Sequence, residues 1–415
     1  MKVKKSLVLA AAVAAVVAAP GAFATNGYYS HGNGMAAKGM GGVGIAVAQD
    51  GMATATNPAN QMMVGSKLTF GMDWFRPFRS ANRIQSGTEL TNYKDSGSND
   101  YYIPEFAYAS TFGSSSSLGV VVYGAGLGVD YGIPWTVSGG TTNLFVLYKQ
   151  MTIAPTWATK VGNHSFGVSL NLVRQSFDAR GLQGFAGFTP SGTTNNLTDK
   201  GEDAATGIGW KFGWVGELTP AISLGAYFQP ETNMSKFGRY KELFAEDGDL
   251  DVPQQYGIGL AWKASPATTV GFDVAKIKWS GVKSINNTAD IALTGHQLGT
   301  NDGLGFGWQD QTVYKLGVSH QLNSKWTLRA GYEYAKMPIK ANETLFNTIF
   351  PAVTETHYTL GATWQMNNTT DLGLAYMYSP SKEIKGTGSQ AASGMTNPDL
   401  KMNQNSLGIS LNVKM

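Results

Sequence analysis

Fourteen segments in which apolar and polar residues alternate run from Ser66 to Met415, joined by connections that are alternately short and long. A period of two places side chains of one kind on each face of a β-strand. An even number of such strands, with short turns at one end and long loops at the other, is typical of a bacterial outer-membrane barrel. The pattern predicts an all-β fold, a fourteen-stranded antiparallel transmembrane β-barrel over residues 66–415.

The lengths of the predicted connections distinguish this fold from a soluble sandwich, in which short and long loops are not expected to alternate. Short turns are predicted at 113–117, 162–163, 219–220, 264–266, 323–324 and 367–368. Long connections are predicted at 79–99, 132–142, 181–204, 231–249, 281–308, 337–353 and 379–401. In a membrane barrel the apolar face of each strand meets lipid and the polar face lines the lumen.

Residues 1–24 have the features of a secretory signal peptide. Lys2, Lys4 and Lys5 form a basic region, an apolar stretch follows, and Ala22-Phe23-Ala24 forms a cleavage site before Thr25. The apolar stretch is too short for a membrane anchor, which needs about 20 residues. We therefore expect cleavage after Ala24.

Charge and cysteine content exclude several function classes. The chain has 31 basic and 28 acidic residues, and the signal peptide holds three lysines, so 28 of each remain after cleavage. This balance gives no indication of a nucleic-acid partner. Without cysteine, the chain has no disulfide, thiolate metal site or cysteine nucleophile. No cofactor or metal is predicted.

A barrel of fourteen strands is too wide for its own side chains to fill, so we expect something to occupy its lumen. Residues 25–65 lack strand alternation and are rich in glycine, which permits tight turns in a confined space. They are predicted to form an N-terminal hatch inside the barrel. The alternative is a disordered tail, although such tails are usually more charged.

Several stretches resemble one known family. Residues 32–51, GNGMAAKGMGGVGIAVAQDG, lead to Asn57-Pro58-Ala59 and resemble the hatch of the FadL-type outer-membrane transporters of long-chain fatty acids and other hydrophobic compounds. Further similar stretches are VDYG (129–132), GWKFGW (209–214), LDVP (250–253), WQD (308–310) and WTLRAGYEYAKMPI (326–339). The resemblance covers essentially the whole chain after the signal peptide.

The resemblance implies passive transport of hydrophobic molecules, most of all long-chain fatty acids, across the outer membrane of a Gram-negative cell. Ligand would be captured in a groove among the outer loops, pass a hatch gated by Asn57, Pro58 and Ala59, and leave sideways at a kink in the third strand. The dense glycines of that strand fit a kink: Gly124, Gly126, Gly128 and Gly132. Tyr28 and Tyr29 lie near the position where the family inserts an aromatic residue into its ligand pocket, and hatch packing is the alternative.

Apolar residues recur in two predicted outer loops. Phe185 and Phe188 lie in the loop after the fifth strand, and Phe346 and Phe350 lie in the loop after the eleventh. Apolar side chains in a loop indicate a ligand groove or packing between loops, and the sequence leaves both open.

The expected carboxylate site departs from the family. Members that bind fatty acids place a lysine beside the aromatic-x-Asp element of the tenth strand and an arginine near the end of the fifth. Here Gln309 precedes Asp310, and Arg174 is in phase with outward apolar residues, whereas Lys315 lies on the polar face of the tenth strand. Because a site without its cation favours neutral ligands, aromatic hydrocarbons or alkanes are the alternative cargo.

Other functions fit the residues less well. A membrane lipase would need a serine and a histidine together on one outer face, an arrangement that neither His320 nor His357 offers. A surface adhesin would carry no ligand in its lumen. The acidic segment 246–251 could bind calcium or bridge to lipopolysaccharide through a divalent metal. It lacks a complete calcium loop, however, and is interpreted as a solvated outer loop.

The last strand is of the kind that the barrel-assembly machinery recognises, although it ends on Met415 instead of an aromatic residue. Its apolar residues alternate as far as the chain terminus. We expect a monomer whose partners are hydrophobic small molecules, lipopolysaccharide, outer-membrane lipid and this machinery.

Overall fold

A computed structural model describes residues 26–85, 88–93, 97, 99–135, 139–289, 297–390 and 395–415. The predicted signal peptide, residues 1–24, and Thr25 at the start of the predicted hatch lie outside the described residues. Parts of four predicted long connections also lie outside them, namely 86–87, 94–96, 98, 136–138, 290–296 and 391–394.

The described residues form seventeen strands. Their bounds are β1 Lys67–Gln85, β2 Thr88–Tyr93, β3 Tyr101–Phe112, β4 Ser116–Pro134, β5 Asn143–Val161, β6 His164–Arg180, β7 Asp203–Glu217, β8 Ile222–Gln229, β9 Gln255–Ser265, β10 Thr268–Ile277, β11 Gln311–Gln321, β12 Trp326–Ala335, β13 Thr356–Gln365, β14 Thr370–Ile384, β15 Ser389–Gln390, β16 Met395–Thr396 and β17 Asp399–Lys414.

Fourteen of these strands close into one antiparallel barrel. Neighbours in the sequence pair in order from β3 to β14, β14 pairs with β17, and β1 pairs with β3. The pairing of β1 with β17, from Lys67↔Lys414 to Asn82↔Asp399, closes the ring. The short strand β2 pairs only with the end of β1, and β15 pairs with β16 as a separate hairpin. The predicted fourteen-stranded barrel is confirmed.

The outer face of the barrel is apolar, which is the reverse of a soluble protein. On β17, Leu407, Ile409 and Leu411 are 51%, 47% and 38% exposed, whereas the alternating Ser406 and Ser410 are buried. The other strands repeat this alternation. Such a surface requires a hydrocarbon environment, and it places the polar side chains of each strand in the lumen.

The lengths of the connections alternate as predicted, and several strands are longer than predicted. The strand β1 continues to Gln85 and β14 to Ile384, into stretches that the sequence analysis assigned to loops. Residues 80–85 carry almost no apolar side chains, so they lack a membrane-facing pattern. Pairing with β17 and β2 satisfies the backbone hydrogen bonds, and the strand therefore extends beyond the apolar belt.

Helical turns are short and lie in the N-terminal segment, residues 26–65, or in the long loops. Those in the segment are Met35–Lys38, Ala53–Thr56, Pro58–Asn60 and Gln61–Val64. Those in the loops are Gln183–Phe188, Gly238–Tyr240, Ala245–Gly248, Trp279–Gly281, Lys283–Asn286, Ala341–Glu343 and Phe346–Thr348. No helix in the described ranges is long and apolar enough to cross a membrane.

Candidate functional site

The N-terminal segment crosses the lumen and is bonded to strands around the wall. The backbone N–H groups of Gly44 and Ile45 donate to Asp273 of β10 at 2.8 and 3.0 Å. Gly41 donates to Thr359 of β13 at 2.7 Å. On the β1–β3 side, Lys38 lies 2.8 Å from the carboxylates of both Asp73 and Glu105.

Inward-facing glycines allow the backbone of the segment to touch the wall. We call this set the glycine seat: Gly167, Gly213, Gly225, Gly259, Gly271, Gly317, Gly331 and Gly361. A Cβ atom at Gly317 would lie 2.3 Å from the carbonyl oxygen of Met40, and one at Gly331 would lie 2.0 Å from the nitrogen of Gly41. Several members face each other across strands, including Gly271↔Gly317 and Gly317↔Gly331. A side chain at these positions would push the segment off the wall.

Asn57, Pro58 and Ala59 lie against β6, β7 and β8. The amide nitrogen of Asn57 donates to Ile45 in the segment at 2.8 Å and to the carbonyls of Trp214 and Ala226 at 3.1 and 3.3 Å. Its side-chain oxygen accepts from the N–H of Ala59 at 3.1 Å and caps the turn that begins at Pro58. The three predicted gating residues therefore form one attachment of the segment to the wall.

The wall opens between β3 and β4 toward the long-loop end. Their pairing runs from Phe112↔Ser116 to Phe106↔Val122 and stops there, whereas β4 stays paired with β5 as far as Asp130↔Phe145. Residues 123–129 of β4 therefore have no partner strand on the β3 side. The structure describes every residue of both strands. We call this place the lateral opening.

The start of the N-terminal segment occupies the lateral opening. The N–H of Gly126 in β4 donates to the carbonyl of Tyr28 at 3.0 Å, where a neighbouring strand would otherwise accept. Alternating exposure is lost here, since residues 125–129 are all buried. The segment covers the edge that β3 leaves unpaired.

The four glycines of the predicted kink lie along this edge. Gly124 lines a cavity of the lumen, Gly126 donates to Tyr28, and a Cβ atom at Gly128 would lie 3.1 Å from the hydroxyl of Tyr101. Gly132 has a positive φ of 67° at a break in register between Asp130 and Pro134. The strand is thus irregular at Gly132, and a kink that opens the wall stays a prediction.

A cavity of about 100 Å³ lies between the N-terminal segment and the long-loop end of the barrel. Tyr29 and Gly124 line it, and its charged lining residues among the described ones are Lys211 and Lys315. Amide side chains supply much of the remaining polar lining: Asn26, Asn33, Gln150, Asn171, Gln229 and Gln255. The volume holds several waters but is far below the roughly 300–1,000 Å³ of a typical ligand pocket.

Lys211 lines the cavity, and the sequence analysis did not identify it. It is 7% exposed, and its ammonium donates to the carbonyl of Ala55 in the N-terminal segment at 2.8 Å. The same nitrogen lies 5.8 and 5.5 Å from the ring centres of Tyr123 and Tyr227. The signal was its phase: it alternates with Trp210 and Phe212, which are 48% and 47% exposed on the outer face. A lysine of opposite phase must point into the lumen.

The residues predicted to hold a carboxylate do not come together. Arg174 is exposed on the outer face, and Gln309 is exposed at the start of β11. Lys315 does line the cavity, but it pairs with Glu333 at 3.1 Å and donates to the carbonyl of His31 at 2.5 Å. Its charge is therefore already neutralised.

Asp310, next to Gln309, forms an ion pair with Lys278. Burial opposes ionisation of this carboxyl, but the hydrogen bonds from Lys278 and Ser280 outweigh it and hold the pKa of Asp310 below its usual range. The lysine that meets the aromatic-x-Asp element thus comes from the end of β10, and it lies outside the lining of the cavity.

The apolar loop residues pack against each other. Phe185 contacts Phe346 edge to face at 5.2 Å and Phe188 at 6.4 Å. Phe350 stacks on Phe306 at 4.4 Å. Phe185, Phe346 and Phe350 are at most 3% exposed. In this structure, packing between loops is therefore observed, and an exposed ligand groove at these residues is not.

Tyr28 and Tyr29 connect the cavity to this aromatic layer. Trp279 stacks on Tyr29 at 5.5 Å and meets Tyr28 edge to face at 5.0 Å. Tyr148 also contacts Tyr28 at 5.0 Å and approaches Phe350 at 6.3 Å. The aromatic rings thus extend without interruption from the cavity to the long loops.

A family model described as "Outer membrane protein transport protein (OMPP1/FadL/TodX)" matches residues 11–415. The fold is similar to that of the Pseudomonas putida toluene transporter TodX, with a TM-score of 0.69 and 18% identity over 93% of this chain and 99% of that one. It is similar to a Pseudomonas aeruginosa FadL homologue, with a TM-score of 0.69 and 13% identity over 95% and 100% of the chains.

The Ralstonia pickettii toluene transporter TbuX gives a TM-score of 0.65, with 18% identity over 93% of this chain and 99% of that one. No curated protein sequence matches the chain significantly. Identities this low show a shared fold, whereas the family model matches nearly the whole chain. The chain is therefore an outer-membrane β-barrel of the OMPP1/FadL/TodX family, whose members are transporters of hydrophobic compounds and not a family of enzymes.

Proposed function

We propose that this protein carries long-chain fatty acids passively across the outer membrane, by capture at the long loops, gating by the N-terminal segment and lateral release between β3 and β4. The observation that carries the proposal is the position of the lumenal cavity. It lies beside the lateral opening, since Gly124 lines it, and it is roofed by the aromatic layer under the long loops.

Residues 25–65 act as a hatch within the barrel of residues 66–415, after removal of residues 1–24 as a signal peptide. The cavity of about 100 Å³ is too small for a long acyl chain. One side of it is formed by strand residues of the barrel wall, and the other side is the segment at Tyr29 to Asn33 and Ala55 to Thr56. The segment is therefore the side that moves when ligand enters.

Release of the ligand also depends on movement of the segment. Displacing Tyr28 from Gly126 would leave the edge of β4 without a partner and would open the lumen sideways to the bilayer. An apolar molecule would then pass into lipid without entering water, which avoids the cost of hydrating it.

A fatty acid fits the lining better than a neutral hydrocarbon. The cavity combines a buried lysine with amide side chains, and these polar groups would lose hydrogen bonds with water against a purely apolar ligand. A neutral aromatic hydrocarbon remains the second candidate, because Arg174 and Gln309 contribute no charge to the cavity and aromatic rings border it.

We further infer a monomer that is inserted by the barrel-assembly machinery, with its long loops in the lipopolysaccharide layer. The pairing of β17 with both β14 and β1 supports a barrel closed within one chain.

Uptake measurements test the proposed function. Gram-negative cells that lack their own uptake of long-chain fatty acids would express this protein, and the entry of radiolabelled oleate and toluene would be followed. We expect the protein to accelerate oleate entry more than toluene entry. Faster entry of toluene alone would favour the second candidate. Equal rates with and without the protein, for both compounds, would contradict transport.

A further inference from the structure

We propose that Lys211 is the counter-ion for the acidic head group of the ligand, so that the lumenal cavity selects long-chain carboxylates over neutral molecules of the same length. This inference rests on the proposed function and adds to it the residue that determines specificity.

The charge of Lys211 is unbalanced among the described residues. Lys211 is 7% exposed, and among the described residues no carboxylate lies within the 4.0 Å of an ion pair. Two other lysines of the lumen do have carboxylate partners: Lys38 pairs with Asp73 and Glu105, and Lys315 pairs with Glu333. Burying a charge is costly unless an opposite charge and hydrogen bonds compensate it. A ligand carboxylate would supply the missing charge.

The position of Lys211 also suits contact with a ligand oxygen. Lys211 lines the cavity, and among the described residues its ammonium donates a hydrogen bond only to the carbonyl of Ala55. An ammonium has three donors, so the contact with Ala55 leaves donors for a ligand oxygen. Tyr123 and Tyr227 approach from the sides with their rings and keep water from the stem of the lysine. Gln150, Gln229 and Asn171 line the same cavity and could donate to a second carboxylate oxygen.

The contact with Ala55 links recognition to movement of the hatch. Ala55 lies two residues before Asn57, which holds the segment to β7 and β8. A carboxylate is a stronger acceptor for an ammonium than a backbone carbonyl. Binding of the head group would therefore compete for Lys211 and weaken one of the attachments of the segment to the wall.

Binding of two amphiphiles with the same chain tests the proposal. The dissociation constants of oleate and oleyl alcohol would be measured on the purified full-length barrel in detergent, for wild type, Lys211→Met and Lys211→Arg. Met keeps the length and removes the charge, and Arg retains the charge. Lys263→Met, which removes an exposed lysine of β9, is the matched control. Heat-modified migration on gels would verify that each variant folds.

We expect Lys211→Met to weaken oleate binding roughly 10- to 100-fold, the loss of one charge-assisted hydrogen bond, and to change oleyl alcohol binding less than threefold. Lys211→Arg should retain most of the preference for oleate, and Lys263→Met all of it. Equal losses for both ligands in Lys211→Met, or no loss, would overturn this inference and leave the transport proposal standing. A wild-type protein that binds neither amphiphile would overturn both.

Discussion

The backbone N–H of Gly126 donates to the carbonyl of Tyr28 at 3.0 Å, on the side of β4 where β3 has already separated from it. The first residues of the N-terminal segment thus take the place of a strand at the lateral opening. This backbone hydrogen bond contributes only about 0.5–1.5 kcal/mol in net terms. The packing of Tyr28 against Trp279 and Tyr148 adds to the closure.

Replacing Gly126 with proline removes the donor. Proline is tolerated on a strand edge whose N–H points away from the ladder, and the N–H of Gly126 points away from β5. If release at this edge limits transport, we expect oleate uptake to rise about 2- to 10-fold, as the loss of one hydrogen bond predicts. Gly126→Ala keeps the N–H and is the control. Equal rates in the two variants would show that the bond to Tyr28 does not hold the gate.

A side chain introduced into the glycine seat should make the barrel leak small solutes. In Gly317→Val, the new Cβ atom would lie 2.3 Å from the carbonyl oxygen of Met40, so the segment must move away from the wall. We expect greater entry of small polar solutes, measured by liposome swelling, in a barrel that remains heat resistant. Gly238→Ala is the control, since a Cβ atom there meets nothing within 4 Å. A tight Gly317→Val barrel would mean that the segment does not seal the lumen.

Asn57 should determine how firmly the segment is attached. Alanine at this position removes the donors to Trp214 and Ala226 and the cap of the turn at Pro58. We expect hydrogen exchange over residues 53–64 to become about tenfold faster, which corresponds to roughly 1.4 kcal/mol. Asn163→Ala, in the exposed turn between β5 and β6, should leave that exchange unchanged. No difference between the two variants would remove Asn57 from the gate.

Asp249, in the long loop between β8 and β9, predicts a pH dependence. Burial, and then the charge of neighbouring Asp251, raise the pKa of Asp249 to about 7. In an unfolded chain the carboxyl titrates near 4. Between about pH 4 and pH 7 the folded loop binds more protons than the unfolded one, so the free energy of unfolding of the loop falls as pH rises through this window.

The stability of this loop can be measured by hydrogen exchange over residues 231–251, corrected for the intrinsic rate at each pH. We expect more protection at pH 5 than at pH 8, and a flatter profile in Asp249→Asn. Asp247→Asn changes a well-exposed carboxyl of the same loop and should leave the profile unchanged. An unaltered profile in Asp249→Asn would refute the assignment.

The architecture could be predicted because successive residues of a membrane-barrel strand face lipid and lumen in turn, so apolar and polar residues alternate along the strand. Trp210 and Phe212 face outward and Lys211 faces inward, as the period of two requires. The end of β1 at Gln85 could not be predicted, because residues 80–85 do not alternate between apolar and polar in the sequence.

The site was harder to predict because it depends on contacts between distant segments. A single sequence does not show that Lys211 meets Ala55, or that Gly317 faces Met40. Arg174 and Gln309 were chosen by resemblance, and the structure places both outside the cavity. Arg174 lies on the outer face of the barrel, and Gln309 lies just before β11. The aromatic residues of the loops were recognised as apolar, but only the structure shows that Phe185 contacts Phe346.

The central claim is that the hatch must move for ligand to pass, and a reversible disulfide tests it most directly. A Cβ atom at position 373 of β14 would lie 3.6 Å from that of Met35 in the hatch and 3.8 Å from that of Ser410 in β17. Both separations suit a disulfide, and the chain has no cysteine of its own. Met35→Cys with Gly373→Cys ties the hatch to the wall, whereas Gly373→Cys with Ser410→Cys ties wall to wall.

Oleate uptake would be measured for both double variants, oxidised and then reduced. We expect oxidation to lower uptake at least fivefold in the hatch-to-wall variant and reduction to restore it, with no change in the wall-to-wall variant. Equal uptake by the oxidised and reduced hatch-to-wall variant would contradict a moving hatch.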